Sequence, residues 1–296
     1  MSSFFHVLLY YKYVPIPEPE SFAAEHLEFC RELGLKGRVL IAGEGINGTL
    51  AGPVEATDRY RQWAAEHPLF ADMDFKIDEE EWVPFKRLSV RPRKEIVTLG
   101  AGDDFDLEKE TGEYLSPEEW KRTIEEEDVV LFDVRNDYES AVGRFKNAIT
   151  PQIETFRELP EALKDYEHLK DKKVLMYCTG GIRCEKASAL FRREGFKEVY
   201  QLEGGIVTYG KTLGPEYWEG ECFVFDERMT VPVGGEEAPP PIAVCAHTGK
   251  KGAELINCLD DDCHRLFLVN KEALAENPDR EYCPGCLSKK SPVVQT

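Results

Sequence analysis

Cys178 and Arg183 are separated by four residues in the stretch KVLMYCTGGIRCEKASALFRREG, at the junction of an apolar run and a helix-forming one. A strand ending at Tyr177 would place Cys178 where open α/β sheets bind ligands. Between cysteine and arginine lie Thr179, Gly180, Gly181 and Ile182. The two glycines can turn several N–H groups inward as an anion cradle. A helix N-terminus near Cys184 or Glu185 adds partial positive charge, and Arg183 adds a full one. All three effects lower a thiol pKa. The pattern points to a cysteine nucleophile that holds a small anionic or persulfide group. Cys184 falls on the first helical turn. There it is either a resolving thiol for an oxidised Cys178 or a half-buried helix-start residue.

The elements that must position this loop are short apolar strands alternating with helices. DVVLFDV, KVLMY and EVYQLEGGI read as strands of a parallel sheet covered on both faces, spanning residues 115–220. Ser116-Pro117-Glu118-Glu119 reads as a helix cap with proline in the first turn. The acidic stretch before it, GAGDDFDLEKETGEYLSPEEW, suits a linker. Residues 1–100 read as β-α-β-β-α-β, a ferredoxin-like α+β unit that begins with FHVLLYYKYVPI and ends with the strands DFKIDEEEW and RLSVRPRKEIVTL. VPVGGEEAPPPIAV is a Pro/Gly hinge, followed by a Cys-rich extension at 242–290.

With 42% hydrophobic residues in 296, the chain can bury real cores. No apolar run approaches the roughly 20 residues of a membrane span, and no signal peptide is read at the start, so a soluble cytoplasmic protein is expected. A net charge of −19 argues against indiscriminate nucleic-acid binding. One local exception is PFKRLSVRPRKE, where Lys86, Arg87, Arg91, Arg93 and Lys94 form either a phosphate-contacting surface or an ordinary solvated strand. The nine cysteines cluster in a way that suits catalysis and metal binding better than disulfides. Cys283-x2-Cys286 with Cys258-x4-Cys263 would complete a tetrahedral zinc site, with Cys245 and His247 as further candidates. Cys30 reads as a buried small hydrophobe. No flavin, haem or nicotinamide motif is present.

The four-residue cradle is one residue shorter than the loop of Cys-based phosphatases and resembles that of rhodaneses. LFDVRNDYESAVGRFKNAI is similar to the rhodanese D-V-R element, with Asp133, Arg135, Glu139, Gly143 and Ala148 in place, and EVYQLEGGI resembles its closing strand and turn. More narrowly, LLYYKY, LGLKGRVLIAGEGINGTLAG, VRPRKEIVTLG, DVRNDYE and YCTGGIRCEKASA together resemble the rhodanese-domain tRNA uridine hydroxylases over residues 5–287. The resemblance implies oxygen-dependent formation of 5-hydroxyuridine at wobble position 34, with molecular oxygen as co-substrate, an external reductant and the tRNA anticodon loop as partner. It maps the essential loop cysteine onto Cys178. It also shows a departure, since Thr248 stands where relatives tend to have a cysteine, which argues for one zinc site rather than two. From the residues alone the reading stops at a reactive cysteine. A thiosulfate-type sulfurtransferase and a non-enzymatic binding module remain alternatives at that level.

Overall fold

The computed structural model describes residues 4–102, 105–235 and 239–290. The first unit contains β1 (Phe5–Tyr13), α1 (Pro19–Glu32), β2 (Lys36–Ala42), β3 (Gly45–Pro53), α2 (Val54–Glu66), β4 (Phe75–Glu80) and β5 (Leu88–Pro92). Its sheet runs β4-β1-β3-β2-β5, antiparallel except where β5 joins β2 in parallel. The ferredoxin-like α+β expectation therefore holds, with β5 added at an edge. The last strand stops at Pro92, short of the full RLSVRPRKEIVTL run. Beyond it the backbone bonds to side chains: Ile96 N–H donates to Glu44 Oε1 at 2.7 Å and Leu99 N–H to Glu95 Oε2 at 3.2 Å.

Strand periodicity divides the residues of β1 between two faces. Leu8 and Tyr10 enter the core beneath α1 and α2 with Cys30, Val39, Leu50, Tyr60 and Phe70. Leu9, Tyr11 and Tyr13 face the other way, and that face meets the second unit.

The second unit opens inside the expected linker. After a helical turn, α3 (Leu107–Glu110), come β6 (Glu113–Leu115), α4 (Pro117–Glu126), β7 (Val129–Asp133), α5 (Asp137–Val142) and β8 (Gly143–Phe145). Next are α6 (Leu159–Ala162), β9 (Lys173–Tyr177), α7 (Ile182–Arg193), β10 (Glu198–Leu202), α8 (Gly205–Leu213), β11 (Trp218–Gly220), β12 (Cys222–Phe223) and β13 (Thr230–Val231). Four strands form a parallel sheet, β6-β10-β9-β7, with apolar cores on both faces. The cap expected at Ser116 is a full capping box with Glu119. β9 is internal to the sheet, so the chain leaving it is surrounded on both sides.

The hinge expected at VPVGGEEAPPPIAV includes residues 236–238, which lie outside the described residues. After it come β14 (Glu254–Asn257) paired with β15 (Leu266–Val269), then α9 (Lys271–Glu276) and α10 (Pro284–Lys290), around a small core rich in cysteine. No helix among the described residues is long and apolar enough to cross a membrane.

Candidate functional site

The chain leaves β9 at Tyr177, turns through Cys178–Gly181, and enters α7 at Ile182, slightly before the expected start. Gly181 takes a left-handed φ of 102°, which a residue with a Cβ rarely adopts. That turn aims the Gly181 N–H at Cys178 Sγ, 3.1 Å away. Cys178 is 0% exposed. Burial by itself would raise its pKa. The Cys184 thiol beside it, the Arg183 charge and the N–H groups of Arg183 and Cys184 outweigh burial and bring it down to about 6. Cys184 moves the other way. Burial, then the neighbouring Cys178, pushes its thiol well up. Cys184 is thus fully buried, not half-buried, and is set up as a neutral thiol beside a thiolate.

Arg183 does not point freely into the cradle. Its guanidinium is paired with Glu139 through Nη1–Oε1 at 2.5 Å and Nη2–Oε2 at 2.9 Å, and Nη2 also reaches Thr179 Oγ1 at 3.3 Å. Burial opposes the charge on Arg183, and Glu139 more than restores it. Asp133 and Arg135 form a second buried fork, with Nε–Oδ1 at 2.9 Å and Nη2–Oδ2 at 2.6 Å. Arg135 Nη2 also donates to the Gly143 carbonyl at 2.6 Å, tying the end of β7 to β8. The loop is held by the turn into α8, where Ile206 N–H donates to Cys178 O at 3.0 Å and Val207 N–H to Thr179 O at 3.1 Å. A Cβ on Gly205 (φ +67°) would lie 2.6 Å from Cys178 O, so the closing glycine is sterically required.

The N-terminal unit roofs this loop. A Cβ on Gly180 would meet Leu9 at 3.0 Å, and one on Gly181 would meet the Tyr11 hydroxyl at 2.9 Å. Tyr11 Oη donates to Glu185 Oε1 at 2.8 Å, and Tyr13 Oη to the Ile182 carbonyl at 3.4 Å. Burial first, and then Glu185 for Tyr11 or Glu44 for Tyr13, keeps both phenols protonated. Helix α7 carries Arg183, Glu185, Lys186 and Ser188, yet every residue from 183 to 191 is buried. Buried polar groups require partners, and each has them. Glu185 also accepts from Thr111 at 2.9 Å and Tyr114 at 2.8 Å. Lys186, 1% exposed at its side chain, lies between Glu44 at 2.9 Å and Glu95 at 2.8 Å. Ser188 accepts from Gly112 N–H at 2.7 Å.

Lys86, Arg87, Arg91, Arg93 and Lys94 are all exposed along and around β5, and Lys86 is paired with Glu227 at 2.8 Å. The GEGINGT turn is occupied internally: Glu44 serves Ile96 and Lys186, and Asn47 donates to the Ile96 carbonyl at 2.9 Å. In the C-terminal extension the Sγ atoms of Cys258, Cys263, Cys283 and Cys286 lie within 4.8 Å of one another. Cys283 N–H donates to Cys258 Sγ at 3.2 Å. Four converging thiols fit a tetrahedral soft-metal site. Cys245 is buried but lies outside this cluster, and His247 Nε2 is engaged with the Tyr282 carbonyl at 3.0 Å.

The sequence reading had not singled out Glu139 as the partner of Arg183, nor Tyr11, Tyr13, Glu185 and Lys186 as the groups surrounding the loop. The one available signal is Tyr11 and Tyr13, polar-tipped aromatics two residues apart on the face of β1 opposite Leu8 and Tyr10.

Three family models match the chain: a UPF0176 acylphosphatase like domain over residues 5–96, a Rhodanese-like domain over 116–212, and a Rhodanase C-terminal segment over 219–287. The chain is 49% identical to a Bacillus licheniformis protein named tRNA uridine(34) hydroxylase, over 97% of this chain and 88% of that one. A protein of the same name from Bacillus pumilus matches at 49% over the same shares, and one from Shouchella clausii at 48%, also over 97% and 88%.

Proposed function

The chain belongs to the tRNA uridine(34) hydroxylase family, and on that premise we propose that it hydroxylates C5 of the uridine at wobble position 34, with Cys178 as the reacting group. The observation that carries this reading is the Cys178 thiol, buried in a closed cradle with the Gly181 N–H aimed at its Sγ from 3.1 Å, within a chain related over nearly its whole length to enzymes of that name.

The net change converts C5–H to C5–OH. With molecular oxygen as co-substrate, one oxygen atom goes to C5 and the other leaves as water, so a reductant outside the chain supplies two electrons and two protons. The Cys178 thiolate adds to C6 of the uracil, which makes C5 nucleophilic; C5 bonds one oxygen atom of O2, and the external reductant's two electrons, with two protons, cleave the O–O bond to leave C5–OH and water. Loss of the C5 proton then breaks the C6–S bond and restores the ring. Cys184, as a neutral thiol, steadies the thiolate between turnovers. Gly181 N–H and the first turn of α7 do the same. The base reaches Sγ only when the β1 face parts from α7, because Leu9, Tyr11 and Tyr13 cover the loop.

The exposed basic residues Arg91, Arg93 and Lys94 suit phosphates of the anticodon stem-loop, and splayed loop bases are what RNA-binding proteins usually read. The four clustered cysteines would hold a structural zinc, which ties α10 to the β14–β15 hairpin in a segment too small to build a large core. A tRNA-modifying role suits a cytoplasmic protein.

The test is nucleoside mass spectrometry of tRNA from aerated cells lacking the protein, complemented with wild type or Cys178→Ala. Loss of 5-hydroxyuridine-derived nucleosides that only wild type restores is the expected result. Unchanged tRNA, together with Cys178-dependent sulfur transfer from thiosulfate, would replace the hydroxylase with a sulfurtransferase.

A further inference from the structure

Phe225 lies in the loop between β12 and β13, and its side chain is 45% exposed. The loop around it is firmly held. Val224 N–H bonds to Met229 O at 2.9 Å and Met229 N–H to Asp226 O at 3.1 Å. Asp226 grips Arg228 at 2.9 and 2.6 Å, and Arg228 continues to Glu80 on β4 at 2.7 Å. Glu227 N–H donates to Pro84 O at 3.1 Å, and its carboxylate takes Lys86 at 2.8 Å. The carboxylates of Asp226 and Glu227 are thereby matched by cations. None of these bonds uses the Phe225 ring. The ring meets buried Phe223 edge-on at 5.0 Å, and its centroid lies 5.8 Å from the Arg183 guanidinium carbon. A large aromatic is thus fixed in place, half in water, against the arginine of the Cys178 loop.

An apolar ring left half-exposed gains little from burial, and the loop is anchored without it. Unstacked RNA bases rest on such rings and on guanidinium planes, whatever the base. We propose that Phe225 is the platform on which a base of the substrate's single-stranded loop stacks beside the Cys178 cradle. The proposal rests on the reading of the substrate as tRNA and makes Phe225 a substrate-positioning residue.

The decisive variant of the full chain is Phe225→Leu, which keeps an apolar cover over Arg183 but offers no π face. Phe225→Trp serves as the aromatic rescue. Binding to a labelled anticodon stem-loop RNA is measured by anisotropy, alongside KM and kcat for hydroxylation and the pH midpoint of Cys178 alkylation. The expected result is a roughly tenfold or larger rise in Kd and KM for Phe225→Leu, the scale of one base–aromatic stack. Phe225→Trp should remain near wild type, and the alkylation midpoint should be unchanged in both. Wild-type affinity in Phe225→Leu overturns the proposal. So does an affinity loss that Phe225→Trp does not restore, because the ring then acts only through Arg183. If the wild type binds the loop through Phe225 but forms no hydroxylated nucleoside, the hydroxylase reading fails and the platform stands. If the wild type hydroxylates and Phe225→Leu matches it, only the platform fails.

Discussion

Replacing Cys184 with alanine tests the central electrostatic claim. In the folded protein burial opposes ionisation of Cys178, and Cys184 leads the groups that reverse it and bring the thiol to about 6 from an ordinary 9.0. A hydrogen bond to a charged group is worth about 1.5–3 kcal/mol, so its loss moves the midpoint up to about 7–8. At pH 7 the thiolate fraction then falls from roughly nine-tenths to between about a half and a tenth. Because folding lowers this pKa, ionisation adds stability that is complete above pH 9 and is lost as the pH falls through about 6. The wild type therefore sheds most of that increment between pH 9 and neutrality and the rest as the pH falls through about 6, and Cys184→Ala retains about 1 kcal/mol less of it at pH 7. The assay is isotope-coded alkylation of the intact protein across pH, read on the peptide that contains Cys178. Opening of the β1 roof scales the rate at every pH and leaves the midpoint in place. Cys184→Ser, which keeps a donor, should titrate near the wild type. A Cys184→Ala midpoint still at about 6 would refute the reasoning and leave Gly181 N–H and the helix turn as sufficient.

Other expectations can be checked independently. Lys186→Met leaves Glu44 and Glu95 facing a lost cation across the roof. It should cost about 3 kcal/mol in denaturant unfolding and speed Cys178 alkylation at fixed pH; an unchanged rate would mean that Lys186 does not hold the roof shut. Replacing Arg91, Arg93 and Lys94 together with glutamine should weaken RNA binding and flatten the slope of log affinity against log salt by about 2, and superimposable slopes would remove these residues from the RNA surface. The purified protein should carry one zinc per chain by metal analysis. Cys286→Ser should lose that zinc and make the extension sensitive to proteolysis; a metal-free wild type that resists protease equally well would rule out the structural zinc.

The cradle was legible in the sequence because its determinants are local. An apolar run, two glycines, an arginine and a helix start within sixteen residues specify a strand, a left-handed turn at Gly181 and inward N–H groups, whatever lies elsewhere. The cysteine pairs at 258/263 and 283/286 were legible for the same reason, since each spacing is a short loop. The linker was misjudged at its end because β6 forms only against β10, and three residues carry no periodic signal of their own. The strand expected through Leu99 stopped at Pro92 because Glu44 and Glu95 take the backbone donors that a ladder would have used.

The sequence by itself determined where the Cys178 loop would form, the glycines that let it turn and the two main sheets of the chain, all set by backbone sterics and hydrophobic period over a few residues. Only the tertiary structure decided that Arg183 is held by Glu139, 44 residues away, that Tyr11 reaches Glu185 across 174, and that Lys186 is sealed between two carboxylates from loops of the N-terminal unit. The first pairing is selected by the packing of α5 against α7 within the second unit and the other two by the closure of one unit on the other, where a buried charge must find its counter-charge whatever the distance along the chain.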